Sequence, residues 1–100
     1  MKIITAREAA HLIPDGCVLA TDGFMGIMVA EEIYTELDHR IQEEGSPKNL
    51  TIFHISGQGD SATDFGLNHF AADGVIKRII GAHWNIIPGV RDLISANKIE

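Results

Sequence analysis

A helical repeat between two short apolar runs is the feature that most restricts how this chain can fold. Apolar residues recur at every fourth position, at Val29, Ile33, Leu37 and Ile41. This spacing is typical of an amphipathic helix, here of roughly four turns. The run 17–21 predicts a strand buried on both faces, and the run 50–55 predicts a second apolar strand. Because the connections are short, the order strand, helix, strand indicates a right-handed parallel crossover.

The rest of the chain continues this alternation of strands and helices. Thr5 and Glu8 have the spacing of a capping box, which predicts a lead-in helix over 6–12. Three later elements are predicted: a short helix capped by Asn68 that runs through Asp73, a strand over 75–80, and a helix over 88–96. Ile99 has the position of the first inward residue of a further strand.

These elements predict an α/β fold: an open, mostly parallel sheet with helices on both faces, Rossmann-like and incomplete at its C-terminus. Lys77 and Arg78 interrupt the strand over 75–80, which favours a place near the sheet edge. The length allows one compact domain, so residues 1–100 are interpreted as one α/β unit with no second domain.

Composition excludes several classes of function. Fourteen acidic residues against eight basic ones give a net charge of -6, which is unfavourable for binding nucleic acid. No apolar stretch approaches the ~20 residues of a membrane helix, and no secretory signal is visible, so we expect a cytoplasmic protein without membrane contact. The lone Cys17 cannot form an internal disulfide and is expected to be buried. The five histidines have no zinc-ligand spacing, so no metal is expected.

Two glycine-containing loops leave the ends of the first two predicted strands. They are Asp22-Gly23-Phe24-Met25-Gly26 and Ser56-Gly57-Gln58-Gly59-Asp60. In open parallel sheets, ligands bind beyond the carboxyl ends of the strands, so both loops are expected to face one crevice. Gly23 and Gly59 would let a ligand approach the backbone. Phe24 either packs under its turn or contacts a ligand, and Gln58 either orients a carboxylate or thioester carbonyl or lies in an ordinary loop.

Other kinds of site are weaker interpretations. The first loop lacks the third glycine of a dinucleotide fingerprint and carries Asp22 where pyrophosphate would bind. His69 could act as a base, but a hydrogen-bonded or solvated role near a helix start is favoured. Glu43 and Glu44 precede Gly45 where a helix ends, so Gly45 is explained as a cap. No residue of this chain is therefore assigned a catalytic role.

An ordered series of short motifs resembles the start of the family I CoA-transferases, of the acetate, propionate and 3-oxoacid type. The motifs are Ala6-Arg7-Glu8-Ala9-Ala10, Ile13-Pro14-Asp15-Gly16, Gly23-Phe24, Asn49-Leu50-Thr51, Gly57-Gln58-Gly59-Asp60, Gly66-Leu67-Asn68-His69, Lys77-Arg78, Gly81-Ala82-His83-Trp84 and Asn97-Lys98-Ile99-Glu100. The series runs almost the whole length of the chain in unbroken order. No single motif is specific, but their order is.

The resemblance implies exchange of CoA between short-chain acyl-CoA thioesters and carboxylic acids through a glutamyl-CoA thioester. Its glutamate would lie in a C-terminal half or β-subunit, so this chain would be an N-terminal portion that is inactive alone. The resemblance also implies CoA as a substrate, no cofactor, and a homo-oligomer. On this chain it points to Gly23, Phe24, Gln58 and Gly59 as substrate-binding residues forming one wall of the acyl pocket.

Three positions depart from the family pattern, and two other functions stay open. Asp22, Met28 and Ala30 stand where the family often has glycines and a proline, so acyl specificity cannot be transferred. The main alternative is a noncatalytic α/β interaction module or decayed fragment that associates through an uncovered sheet edge. A dinucleotide-binding oxidoreductase is a more distant one.

Overall fold

A computed structural model describes residues 1–100. It contains a parallel sheet of three strands in the order β1-β2-β3, which are β1 (Val18–Ala20), β2 (Leu50–Phe53) and β3 (Ile76–Ile80). Three α-helices accompany it, α1 (Ala6–His11), α2 (Glu31–Glu44) and α3 (Pro88–Ser95), with short 3-10 helices at Gly66–Phe70 and Trp84–Ile86. The predicted parallel α/β architecture is confirmed.

The helix ends follow the signals in the sequence. The Thr5 hydroxyl accepts a hydrogen bond from the Glu8 amide at 3.1 Å, which caps α1. At the end of α2, Gly45 adopts the left-handed conformation with φ of 69°. Glycine adopts this conformation without strain, so Gly45 ends the helix as predicted.

One face of the sheet forms the core. Leu50 and Ile52 of β2 are fully buried, and Ile76 and Ile79 of β3 lie beside them. The helices cover this face, and the buried apolar side chains form a single cluster. Its members from the helices and connections include Leu37, Leu67, Phe70, Ile87 and Val90.

The opposite face is open, which differs from the expectation of helices on both faces. Val18, Phe53 and Ile80 point to this face and expose 71%, 46% and 45% of their surface. Right-handed crossovers that advance in one direction across a sheet place every connecting helix on the same side. The prediction that 17–21 is buried on both faces was therefore wrong, and Cys17 is only half-buried.

The predictions for Asn68 and Ile99 have different outcomes. The short helix after the second loop is a 3-10 helix over Gly66–Phe70, so Asn68 lies inside it rather than at its cap. The Asn68 side chain instead accepts from the Gly89 amide at 2.8 Å and donates to the Ala62 and Phe65 carbonyls. Ile99 is buried, as predicted, where the chain runs beside β3.

That last segment continues the sheet at the β3 edge. Glu100 donates its amide to the Lys77 carbonyl at 3.0 Å and accepts from the Ile79 amide at 2.8 Å. Among the three named strands β3 lies at the edge, as predicted, and the segment that ends at Glu100 pairs with its outer side. None of the helices has the length and apolar character needed to cross a membrane.

Candidate functional site

The two glycine loops lie side by side at the carboxyl ends of β1 and β2. The Met25 amide donates to the Gly57 carbonyl at 2.8 Å, which joins the tip of the first loop to the start of the second. Beyond the strand ends, the Thr21 amide continues the ladder to the Phe53 carbonyl at 2.9 Å. The structure therefore brings together the two loops that the sequence predicted to share one crevice.

The first loop is a tight turn that exposes an aromatic ring. Phe24 and Ile27 exchange two backbone hydrogen bonds of 3.0 and 2.9 Å. Phe24 remains 47% exposed and meets the His83 ring edge to face, with 6.3 Å between ring centroids. Together with Asn85 and Ile86, these two rings line a groove of about 160 Å³. Phe24 is thus presented to a groove and is not packed beneath its turn.

Gln58 holds the second loop from inside the protein. Its side chain is fully buried, Oε1 accepts from the Tyr34 hydroxyl at 2.6 Å, and Nε2 donates to the Thr21 hydroxyl at 2.8 Å. Burial raises the pKa of Tyr34 to about 12, so its hydroxyl keeps the proton that it donates. Gln58 therefore connects the end of β1, the helix α2 and the second loop.

A larger apolar cavity borders this hydrogen-bonded network. Its volume is about 340 Å³, and both Thr21 and Tyr34 line it. The wall also includes all three positions at which the sequence departs from the CoA-transferase pattern, Asp22, Met28 and Ala30. Apart from Asp22 and the two hydroxyl-bearing residues, aliphatic side chains, alanines and Met28 form the wall. An apolar cavity with few polar groups is typical of a small-molecule pocket.

Gly59 and Gly66 allow backbone segments to approach closely. A Cβ at Gly59 would overlap the Ile86 carbonyl oxygen, and one at Gly66 would overlap the Gln58 carbonyl oxygen. Gly66 also has φ of 66°, where other residues are strained. The close approach predicted for Gly59 is therefore made by the chain's own backbone. Gly23 has φ of 132° and lies at the base of the first loop.

His54 packs beneath the loops just beyond the end of β2. It is 1% exposed, its Nδ1 donates to the Ser56 carbonyl at 2.8 Å, and its Nε2 has no hydrogen-bond partner. Burial lowers the pKa of His54, which favours the neutral ring. The ring also meets Trp84 edge to face at 5.2 Å, so both residues have a packing role.

His69 lies between two carboxylates of α2. Its Nε2 is 2.5 Å from Glu31 Oε1 and its Nδ1 is 2.9 Å from Asp38 Oδ2. Burial lowers the pKa of His69, but the hydrogen bonds and charges of Asp38 and Glu31 outweigh it, and the pKa is raised. Because both ring nitrogens are occupied, His69 has no free nitrogen to act as a base here. The carboxylates lie on opposite ring nitrogens and do not converge on one point, and no cluster of metal-ligand side chains is present.

Sequence reasoning missed several residues around the loops. Tyr34 belongs to the apolar face of α2, so its periodicity indicated packing and gave no sign of a bond to Gln58. His83 lies in the motif Gly81-Ala82-His83-Trp84, which gave no sign of a site, and Asn85 lies just after it. Both reach the groove because the segment after β3 returns under the second loop. His83 has φ of 64°, an uncommon conformation for a residue other than glycine. Residues of this kind are identified only from the three-dimensional structure.

Comparison with known proteins identifies relatives of one kind. No protein-family model matches the chain. An acetate CoA-transferase of Escherichia coli O157:H7, YdiF, is 36% identical over 102 residues, which is 99% of this chain and 19% of that protein. A caffeate CoA-transferase of Acetobacterium woodii is 32% identical over 98% of this chain and 18% of its own length. These matches confirm the resemblance to CoA-transferases.

The fold comparison agrees with the sequence comparison. The crystal structure of the apoenzyme of the acyl-CoA transferase YdiF from Escherichia coli O157:H7 superposes with a TM-score of 0.86 at 31% identity. The match covers 97% of this chain and 19% of that one. The chain thus spans about a fifth of the length of the relatives that it matches.

Proposed function

We propose that this chain is a segment of a CoA-transferase and forms one wall of its acyl-binding site. The enzyme would move CoA between short-chain acyl-CoA thioesters and carboxylic acids through a glutamyl-CoA thioester, without a further cofactor. The observation that carries the proposal is the hydrogen bond from the Met25 amide to the Gly57 carbonyl, which joins the two loops at the strand ends. The identity to CoA-transferases over nearly the whole chain supports the assignment.

Within this wall the four candidate residues have different roles. Phe24 presents its ring to the groove and contacts the acyl group, and Gly23 allows the turn that carries it. Gln58 positions the second loop through Thr21 and Tyr34, and Gly59 lets that loop pack against the Ile86 carbonyl. The nucleophilic glutamate lies on polypeptide outside these 100 residues, in a C-terminal half or partner subunit.

The apolar cavity bordered by Thr21 and Tyr34 contains the positions of this wall that depart from the family pattern. Asp22 places a carboxylate at its rim, and Met28, 83% exposed, adds a flexible side chain. Both change the size and charge of the cavity relative to the family pattern. The acid that this enzyme accepts would accordingly differ from the preference of relatives with glycine at these positions.

We place the enzyme in the cytoplasm as a homo-oligomer.

One observation favours a second function, that of a noncatalytic interaction module. The open sheet face carries Val18, Phe53 and Ile80, and Ile55 just beyond β2 is 75% exposed. Contiguous exposed apolar residues mark contacts with other polypeptides. A module of this kind would bind a partner through the open face and have no activity at the loops.

Two phenylalanines of nearly equal exposure distinguish the functions. Phe24 is 47% exposed at the groove, and Phe53 is 46% exposed on the open face. In the complete protein that carries this chain, we expect Phe24→Ala to lower kcat/KM for CoA exchange between propionyl-CoA and acetate about tenfold, which corresponds to about 1.4 kcal/mol. Phe53→Ala is the control, with a change of about twofold or less. Equal effects, or no CoA exchange by the unmodified protein, would contradict the proposal.

A further inference from the structure

The helix α2 carries three polar side chains along one stripe. Glu31, Tyr34 and Asp38 follow each other at intervals of three and four residues, which places them on the same helix face. Each bonds to the segment 58–69: Tyr34 to the Gln58 side chain, and Glu31 and Asp38 to His69. The stripe therefore holds the second glycine loop and the 3-10 helix that follows it.

The contacts of His69 fix its protonation state. A carboxylate oxygen accepts hydrogen bonds, and a neutral imidazole has only one N–H to donate. Both nitrogens of His69 lie within hydrogen-bond distance of a carboxylate, at 2.5 Å for Glu31 and 2.9 Å for Asp38. With both carboxyl groups ionised, only the doubly protonated ring satisfies both contacts. The His69 side chain is 8% exposed, so these bonds are shielded from water more than a surface ion pair is.

The Glu31 carboxylate also bonds to the backbone at the start of the 3-10 helix. Glu31 Oε2 accepts from the Gly66 amide at 2.9 Å, while its other oxygen faces His69. The next amide, that of Leu67, donates to the Gln58 carbonyl at 2.9 Å. Because Gly66 has no Cβ, it fits against that carbonyl. His69, Glu31, Gly66 and Gln58 thus form a continuous connection from α2 to the wall of the site.

We propose that His69 is a positioning residue: as the imidazolium clamped between Glu31 and Asp38, it holds the Gln58 loop in place against α2. Loss of its proton breaks one of the two contacts and loosens the Gly66–Phe70 segment, and with it the Leu67 bond to Gln58. This makes the order of the acyl-binding wall dependent on pH. The consequence for catalysis rests on the proposed transferase function. The clamp, which consists of His69, Glu31 and Asp38, does not depend on that function.

The charged groups around His69 set the direction of this dependence. Glu31 and Asp38 are the carboxylates within 4.0 Å of its ring nitrogens, and both belong to α2. Asp38 also accepts from the Gln42 side chain at 2.8 Å through its other oxygen. Burial opposes the charged ring, but the two carboxylates more than offset it. The clamp is therefore complete below the ordinary histidine pKa of about 6.5 and opens as the pH rises through the raised pKa of His69.

Nuclear magnetic resonance of the protein with 15N-labelled histidine and backbone amides tests the clamp. We expect both ring nitrogens of His69 to be protonated at pH 6, and the hydrogen-exchange protection of the Leu67 amide to fall as His69 titrates at higher pH. The Thr51 amide, which donates to the Cys17 carbonyl within the sheet, is the internal reference and should keep its protection. The ratio of the two amide exchange rates cancels the intrinsic dependence of exchange on pH.

Three variants distinguish loss of the clamp from a general loss of structure. His69→Gln should reduce Leu67 protection at least about tenfold while Thr51 changes little. His39→Gln, at a histidine on α2 whose side chain is 55% exposed, should change neither. Asp38→Asn keeps the side-chain size and removes one negative charge, so the midpoint of the Leu67 transition should move to lower pH.

Three outcomes would overturn the proposal. They are a neutral His69 ring at pH 6, Leu67 protection that does not follow the His69 titration, and an Asp38→Asn variant with an unchanged midpoint. If His69→Gln does not fold, the wild-type titration and Asp38→Asn still decide the question. No acyl-CoA enters these measurements, so their failure leaves the transferase proposal standing, and a failed transferase assay leaves the clamp standing.

Discussion

The two faces of the sheet differ in their exposure to solvent, although neighbouring residues of the same strands form both. On β3, Ile79 points to the helices and is 9% exposed, whereas Ile80 points away and is 45% exposed. On β2, Ile52 is fully buried and Phe53 is 46% exposed. The covered face contains the whole core of this chain, and the open face has similarly apolar side chains without a cover.

This difference explains how the candidate site is built. The covered face supports α2, and α2 anchors the second loop through Tyr34 and Glu31. The first loop depends on that anchored loop through its bond to Gly57 and otherwise exposes Phe24, Met25 and Ile27 to solvent. One side of the site is therefore fixed by this chain's own packing, and the other side is open to contact with further polypeptide.

The largest predicted effect compares the two faces within β3. Ile79→Ala should lower the free energy of unfolding by about 3 kcal/mol, because it leaves a cavity in the core. Ile80→Ala should cost about 1 kcal/mol or less, since its side chain is already half in water. Urea unfolding of both variants measures the difference. Equal losses would show that the open face is covered in solution.

A smaller effect is expected where the covered face meets the site. Gln58→Ala leaves the buried Tyr34 hydroxyl without its acceptor, so we expect a loss of about 1 to 3 kcal/mol in unfolding free energy. Gln42→Ala, at an exposed position on α2, should cost about 0.5 kcal/mol or less. If the two glutamine variants unfold at the same urea concentration, Gln58 does not connect the loop to α2.

The smallest effect concerns pH. The pKa of His69 is raised in the folded protein, so its stabilisation is fully present below the ordinary histidine pKa of about 6.5. That stabilisation is lost as the pH rises through the raised value. His69→Gln should therefore destabilise the protein more at pH 6 than at pH 9, as measured by urea unfolding at both. A penalty that grows with pH would contradict the sign.

Much of the fold could be predicted because its signals are local. The capping box at Thr5, the four-residue period of α2 and the cap at Gly45 each involve neighbouring residues, and each element formed. The covering of the sheet is not local. Whether Val18 is buried depends on the side of the sheet on which each crossover helix lies. An apolar run has the same sequence pattern on a covered face and on an open face.

The site was predictable to a lesser degree for the same reason. The meeting of the two loops followed from the rule that parallel strands end at one edge, and the Met25 to Gly57 bond agrees with it. The partners of Gln58 are Thr21 and Tyr34, 37 and 24 residues away in sequence, and no motif links them. The clamp on His69 also joins residues that are more than 30 positions apart.

Mapping the covalent intermediate tests the central claim most directly. The complete protein would be incubated with an acyl-CoA, digested, and searched by mass spectrometry for the peptide that carries CoA. We predict a CoA-modified glutamate outside residues 1–100, with Glu43 and Glu44 unmodified. A CoA adduct on any residue of this chain would contradict the assignment of these loops as a wall without the nucleophile.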